Sequence, residues 1–140
     1  AALLELLIHE LNRLARGHLR PLPDGVLRAV NYMRSHLASR LTLSGLAELA
    51  GWSVPRFLVV FREFYRVSPM RYWKDLRLEA ARRRLELTEA AVKEIAAQCG
   101  FGDALHFSRE YRNRYGASPV EWRRRHRPDA AVFAVDGKLC

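Results

Sequence analysis

The sequence predicts an all-α fold in which two helix-turn-helix units are joined by a long connecting helix. Apolar residues recur at helical spacing along most of the chain, the alternation typical of strands is nearly absent, and one helical pattern occurs twice. The 140 residues are 49% hydrophobic and 10% aromatic. That length and composition suit one domain with a sizeable core and argue against general disorder.

Residues 1–22 are expected to form an apolar helix and a linker. The apolar residues occupy too much of the circumference for a helix that covers a core on one side only. Such a helix could pack on this domain or on a neighbouring molecule. We favour a second interpretation, in which it is the tail of a missing upstream domain or a dimer helix. The chain begins with Ala1, and we expect a fragment or processed product rather than a signal peptide. The apolar residues are Leu3, Leu4, Leu6, Leu7, Ile8, Leu11 and Leu14.

The helical domain is expected at residues 23–126, followed by a flexible tail at 127–140. Its first helix opens at Pro23-Asp24, where Asp24 is the candidate N-cap.

Two stretches then repeat a pattern of apolar residue, Ala, Gly and aromatic. Gly51 and Gly100 stand where a helix end needs positive φ, and Ser53 and Asp103 are candidate N-caps of the helices that follow. Each copy therefore predicts helix, tight turn and helix, at about residues 42–66 and 91–115. The later matches are Phe57 with Phe107, Phe61 with Tyr111, Ser68-Pro69 with Ser118-Pro119, and Tyr72 with Trp122.

The connecting helix is predicted at about residues 69–87, which contain strong helix formers and no internal Gly or Pro. At about 1.5 Å rise per residue it is about 27 Å long. The second helices of the two units would then lie about one DNA turn, ~34 Å, apart. One chain could reach two successive major grooves without dimerising.

The charge is strongly biased, with 24 Lys and Arg against 15 Asp and Glu and a formal net charge of +9. Such an excess is typical of chains that bind nucleic acid or an anionic membrane surface. No apolar run approaches the roughly 20 residues of a membrane span. A plain helical hairpin remains an alternative for each copy, but two copies on a basic chain favour DNA binding.

Enzyme chemistry has little support in the sequence. His9-Glu10 lacks a second His at the zinc-protease spacing, and no phosphate loop, Rossmann glycines or paired carboxylates stand out. Cys99 occupies the place of Ala50 in the repeat, so we expect it to be buried and small. Two cysteines, Cys99 and Cys140, make no disulfide framework and favour a reducing compartment. We predict no catalytic site, metal or cofactor.

The stretch from Ile95 to Arg123 resembles the signature of the AraC/XylS family of bacterial transcription regulators. It reads Ile95-Ala-Ala-Gln-Cys-Gly-Phe-Gly-Asp-Ala-Leu-His-Phe-Ser-Arg-Glu-Tyr-Arg-Asn-Arg-Tyr-Gly-Ala-Ser-Pro-Val-Glu-Trp-Arg. The resemblance extends over about residues 23–126 and implies the family's DNA-binding domain, with two helix-turn-helix units and a joining helix. Many members also carry an N-terminal effector-binding or dimerisation domain, which would account for the apolar helix at the start of this chain.

The second recognition helix is predicted at about residues 103–115. Arg109 is the strongest candidate for base reading, because a guanidinium can donate two hydrogen bonds to O6 and N7 of guanine. The resemblance supports Ser108 and Arg109, which stand at DNA-facing positions of the family, and Arg112 and Arg114 are expected to contact phosphate. The predicted core side is Ala104, Phe107, Tyr111 and Tyr115, and the opposite stripe is Leu105, Ser108, Arg109 and Arg112.

The first recognition helix, at about residues 54–65, departs from the family pattern. Leu58 and Val59 replace the usual polar and basic readers, and Arg66 stands where the family usually has Gly. Leu58 and Val59 could contact thymine methyl groups, the unit could hold the backbone through Arg56, Arg62 and Arg66, or the face could be recruited to a protein partner. The predicted core side is Val54, Phe57, Phe61 and Tyr65, and the outward stripe is Pro55, Leu58, Val59, Arg62 and Arg66.

The remaining arginines are expected to have other roles. Arg77 sits where family members have a recurrent Arg, and we hypothesise a structural ion pair with Asp103. Residues 82–84 are predicted to be mostly solvated charges with Glu79 and Glu86 as partners. The basic cluster at residues 123–127 could contact phosphate.

Together these features predict sequence-specific binding to double-stranded DNA in transcription regulation. The alternative is a helical protein-interaction module that keeps the fold with weak or no specific DNA binding. A regulator module attached to a DNA-repair enzyme is a third interpretation, which needs a reactive cysteine outside this chain. Expected partners are duplex DNA, RNA polymerase as a candidate, and an upstream effector or dimerisation domain, without a membrane. The expected location is the cytoplasm, at the nucleoid.

Overall fold

The computed structural model describes residues 2–15 and 20–127, in which all regular secondary structure is helical. The predicted all-α fold class is confirmed. The helices are α1 (Ala2–Ala15), α2 (Asp24–Ser35), α3 (Leu43–Ala50), α4 (Val54–Tyr65), α5 (Pro69–Leu87), α6 (Val92–Gln98), α7 (Ala104–Tyr115) and α8 (Pro119–His126).

The helices form two cores that share α5. In the first unit α2 packs on α3 and α4, and in the second α5 packs on α6, α7 and α8. Trp73, near the start of α5, belongs to the first core, and Leu78 and Leu85 belong to the second. Because one uninterrupted helix contributes to both cores, the two units are held in a defined relation.

The side chains that start and end the helices follow local rules. Ser53, Ser68 and Ser118 each accept a hydrogen bond from the backbone N–H three residues on, which satisfies an otherwise free donor. Asp103 accepts one from Leu105 at 2.9 Å. The prediction for the start of α2 was wrong: Pro23 is the N-cap, and Asp24 is the first helical residue, where its charge favours the helix dipole.

The two units repeat in three dimensions as well as in sequence. The rings of Phe57 and Phe61 lie 5.6 Å apart, as do those of Phe107 and Tyr111 at the matching positions. Gly51 follows α3 and Gly100 follows the end of α6, and both have positive φ, 73° and 84°. Cys99 is fully buried in the second core, as expected for the position matching Ala50.

Helix α1 contacts the end of α4 in the first unit. His9 forms a 3.3 Å hydrogen bond with the carbonyl oxygen of Phe64 and stacks on Tyr65. The leucine and isoleucine side chains between residues 3 and 11 of α1 are between 43% and 77% exposed. The expectation of an upstream domain or a dimer partner stays a prediction. The predicted tail at 127–140 lies outside the described residues apart from Arg127. The exposed residues are Leu3, Leu4, Leu6, Leu7, Ile8 and Leu11.

Candidate nucleic-acid interface

The outward faces of α4 and α7 are equivalent surfaces of the two units. Phe57 and Phe61 are buried on the inner side of α4, and Phe107 and Tyr111 are buried on the inner side of α7. Successive residues of a helix are rotated by about 100°. Residues at the same offset from these buried pairs therefore occupy equivalent places on the outer faces of α4 and α7.

In the second unit the predicted base readers lie together. Leu105 is 74% exposed, Arg109 is exposed and Ser108 is half-buried. Within the described part of the chain, the guanidinium of Arg109 makes no hydrogen bond or ion pair, so its donors are available to a ligand. A shallow depression is lined by Asp103, Leu105, Ser108, Arg109, Arg112 and Ser118.

Arg112 lies beside the same depression, paired with Glu121 of α8 at 3.4 Å. Glu121 in turn accepts a 2.7 Å hydrogen bond from the backbone N–H of Ser118, which holds the pKa of that carboxyl below its ordinary value. The side chain of Arg112 remains 63% exposed, so the pair leaves it within reach of a phosphate.

Arg114 does not line this depression, and its role as a phosphate contact stays a prediction. Its guanidinium lies over the ring of Tyr115 and 3.7 Å from the carboxylate of Asp75 in α5. Lys74 and Glu110 form a second pair between the same helices at 2.6 Å. These charges hold α7 against α5.

In the first unit the outward stripe is basic around one exposed apolar side chain. Val59 is 68% exposed, and Arg56, Arg62 and Arg66 are exposed around it. The expectation that Leu58 is also exposed was wrong: it is half-buried, because it lies one helical turn from Val54 and from the buried Phe61, at the edge of the core side. Arg56 lies over the ring of Trp52 at 4.9 Å, which places its charge at the start of α4.

The sequence analysis did not predict one exposed side chain at this surface. His106 occupies in α7 the position of Arg56 in α4 and is exposed. The offset of 50 residues between the units would have identified it, since the same offset relates Val59 to Arg109.

Arg77 is structural, but its partners are not those predicted. It donates hydrogen bonds to the carbonyl oxygens of Leu37 at 2.8 Å, Ser39 at 2.9 Å and Gly100 at 3.3 Å. Asp103 instead caps α7. The carbonyls of two loops face the half-buried guanidinium, so Arg77 links the end of α2 to the turn of the second unit.

The residues of the predicted basic cluster at the end of α8 differ in their contacts. Arg123 donates to the carbonyl oxygen of Ala90 at 2.5 Å, and Arg127 pairs with Glu89, so both hold the loop before α6. Arg124 and Arg125 are exposed. On α5, Arg82 pairs with Glu79 at 2.6 Å and Glu86 at 3.0 Å, the partners expected from helical spacing.

The described residues provide no candidate metal site. No three His, Cys, Asp or Glu side chains among them converge in a way that could hold a metal ion.

None of the helices in the described ranges combines the length and the apolar character needed to cross a bilayer.

Residues 46–125 match the family described as "Helix-turn-helix domain". The HTH-type transcriptional regulator ArgR of Pseudomonas aeruginosa is 31% identical over 120 residues, which are 86% of this chain and 35% of that protein. The regulator Rv1931c of Mycobacterium tuberculosis is 43% identical over 79 residues, 56% of this chain and 30% of that protein. The chain thus spans about a third of the length of these relatives.

Solved structures show the same fold. The DNA-binding domain of the transcriptional factor AdpA, crystallised with a target DNA, has a TM-score of 0.70 and 28% identity, covering 74% of this chain and 96% of that one. An AraC-type regulator from Chromobacterium violaceum has a TM-score of 0.69 and 30% identity, covering 75% and 95%. The resemblance to the AraC family is confirmed. This chain therefore belongs to the helix-turn-helix domain family, as a DNA-binding domain of the AraC type.

Proposed function

We propose that this protein binds double-stranded DNA sequence-specifically in transcription regulation, with α4 and α7 in successive major grooves. The observation that carries the proposal is the pair of equivalent outward faces, one on each recognition helix, each with exposed arginine. An α-helix fits the major groove, where each base pair presents a distinct pattern of donors and acceptors.

Arg109 is the proposed base reader of the second unit. It is exposed, and within the described chain no carboxylate or carbonyl competes for its donors. A guanidinium in this position can bond O6 and N7 of guanine together. Leu105 and Ser108 line the same depression as Arg109 and would contact neighbouring base edges.

Phosphate contacts are assigned to the arginines that flank the readers. Arg56, Arg62 and Arg66 surround the outward face of α4, and Arg112 lies at the edge of that of α7. If all four contact phosphate, the logarithm of affinity falls with the logarithm of salt concentration at a slope of about −4.

The protein-interaction alternative has less support. Its basis was the apolar face at Leu58 and Val59 together with the apolar N-terminal helix. Leu58 is half-buried and Val59 is flanked by Arg56 and Arg62, so only the exposed apolar side chains of α1 still favour this alternative. The family and fold are those of transcriptional regulators and not of enzymes. RNA polymerase as a partner, an upstream effector or dimerisation domain, and a place at the nucleoid in the cytoplasm belong to this proposal as further expectations.

Selection of bound sites from a random duplex library by the full chain tests the proposal. We expect two short sequence blocks about one DNA turn, ~34 Å, apart, with a guanine in one of them. Gel shifts of the selected duplex at two salt concentrations should show the steep weakening described above. Failure to enrich any sequence, together with equal affinity for all duplexes, would contradict sequence-specific binding.

A further inference from the structure

Val59 and Arg109 occupy the same place in the two recognition helices, but their chemistry is opposite. Each lies two residues after a buried Phe, at Phe57 and Phe107, and each is exposed. Arg109 carries donors for guanine, whereas the side chain of Val59 can neither donate nor accept a hydrogen bond. The first unit therefore requires a different kind of base contact at this place.

The surroundings of Val59 favour a nucleic acid over an apolar protein surface. Arg56 and Arg62 lie three residues before and after it, one on each side along the helix, and both are exposed. Val59 is 68% exposed, and no other large apolar side chain of α4 is comparably open. Pro55 and Glu63 are also exposed one turn from Val59, but Glu63 is paired with Arg20. Among the described residues, Arg56 and Arg62 therefore supply the unpaired charge beside Val59 and match the negative charge of DNA.

Only one apolar group is offered by base edges in the major groove, the C5-methyl group of thymine. We propose that Val59 reads this methyl group in the half-site of the first unit, while Arg109 reads guanine at the equivalent place of the other half-site. This inference rests on the proposed function. It assigns the two units different base classes, so a single chain binds an asymmetric site in one orientation.

Single replacements of thymine by deoxyuridine in the selected duplex test the inference, because they remove only the methyl group. Affinity is measured for the full chain with its own sequence and with Val59→Ala. One of these replacements should weaken binding of the unchanged chain about fourfold. This factor is the free energy of burying one methyl group, expressed as a ratio of affinities. The same replacement should have no effect on Val59→Ala, since alanine no longer reaches the methyl group.

Val120→Ala is the matched control, because Val120 is 64% exposed and lies on α8 and not on either recognition helix. It should respond to every deoxyuridine as the unchanged chain does. Circular dichroism and the midpoint of thermal unfolding confirm that the variants are folded.

The outcomes separate this inference from the proposed function. If a site is selected but no deoxyuridine effect disappears in Val59→Ala, the thymine contact is overturned and the proposed DNA binding stands. Unchanged affinity of Val59→Ala for the selected duplex overturns the inference as well and leaves the face to a protein partner. If no site is selected, both proposals fall.

Discussion

Arg66 and Gly116 end the two recognition helices with the same left-handed backbone, at φ values of 61° and 76°. Each donates its N–H to the carbonyl oxygen four residues earlier, in Arg62 and Arg112 respectively. Among the described residues Arg66 is the one residue other than glycine with positive φ. A charged side chain is therefore held at the end of α4 in a conformation that favours glycine.

Arg66→Gly should stabilise the fold by about 0.5–1 kcal/mol, because the left-handed strain of about 1–2 kcal/mol exceeds the entropic cost of glycine. The same change should reduce the magnitude of the salt slope of DNA binding by about 0.9, if Arg66 contacts phosphate. Urea unfolding and salt titration measure the two effects.

Gly116→Ala is the reciprocal control. A Cβ there would have no neighbouring atom within 4 Å, so its cost is conformational alone. We expect a loss of about 1 kcal/mol. Stabilities that change in the same direction in both variants would contradict the account of backbone strain.

Gly51→Ala and Gly100→Ala should differ in cost although they are repeat-equivalent. Both positions have positive φ, but a Cβ at Gly100 would lie 2.6 Å from the carbonyl oxygen of Leu37 and 2.9 Å from Cζ of Arg77. At Gly51 the nearest such atom is 3.8 Å away, in Arg28. Gly51→Ala should cost about 1 kcal/mol.

Gly100→Ala should cost about 2 kcal/mol more, because it displaces Arg77 from carbonyl partners, and hydrogen bonds to charged groups contribute about 1.5–3 kcal/mol. Denaturant unfolding of both variants is the measurement. Equal losses of unfolding free energy in the two variants would show that the contact of Arg77 with Gly100 does not require the close approach of their atoms.

Arg109→Ala should weaken binding to the selected duplex by about 1–3 kcal/mol and relax preference at one base pair. Arg62→Ala is the comparison: if Arg62 contacts phosphate as proposed, its loss should weaken binding to all sequences alike and lower the magnitude of the salt slope by about 0.9. Affinities for the selected duplex and its single-base variants distinguish the two. Uniform weakening by Arg109→Ala would reassign that residue to the DNA backbone.

Glu79 should make the fold sensitive to acid. Its pKa lies below the ordinary value of 4.5, chiefly because Arg82 donates a hydrogen bond to the carboxylate. A carboxylate with a lowered folded-state pKa stabilises the fold above its unfolded pKa, and this contribution is lost as pH falls through the folded pKa. Glu79→Gln should therefore be less stable near neutrality, and its stability should fall less steeply below about pH 4.5.

Urea unfolding across about pH 3–7 measures this difference, at about half-unit steps that resolve a single titration. Glu48→Gln is the control, because Glu48 is exposed and its side chain makes no hydrogen bond or ion pair in the described part of the chain. It should follow the pH profile of the unchanged chain. A Glu79→Gln profile parallel to that of the control would contradict the role of Glu79.

Local signals in the sequence are enough to predict the fold class and the repeat. Apolar spacing shows its period within a few turns of helix, and caps such as Ser53, Ser68 and Asp103 act on backbone groups two or three residues away. Such signals need no knowledge of distant packing. The family signature follows from the same residues.

Packing between the helices determines which arginines are available to a ligand. Arg77 and Arg109 are both arginines on amphipathic helices, yet Arg77 bonds carbonyls 40 residues before and 23 residues after it, and Arg109 stays exposed. Arg114 is likewise engaged by Asp75 of another helix. Partners that distant along the chain are set by how helices pack, and helical period alone carries no information about them.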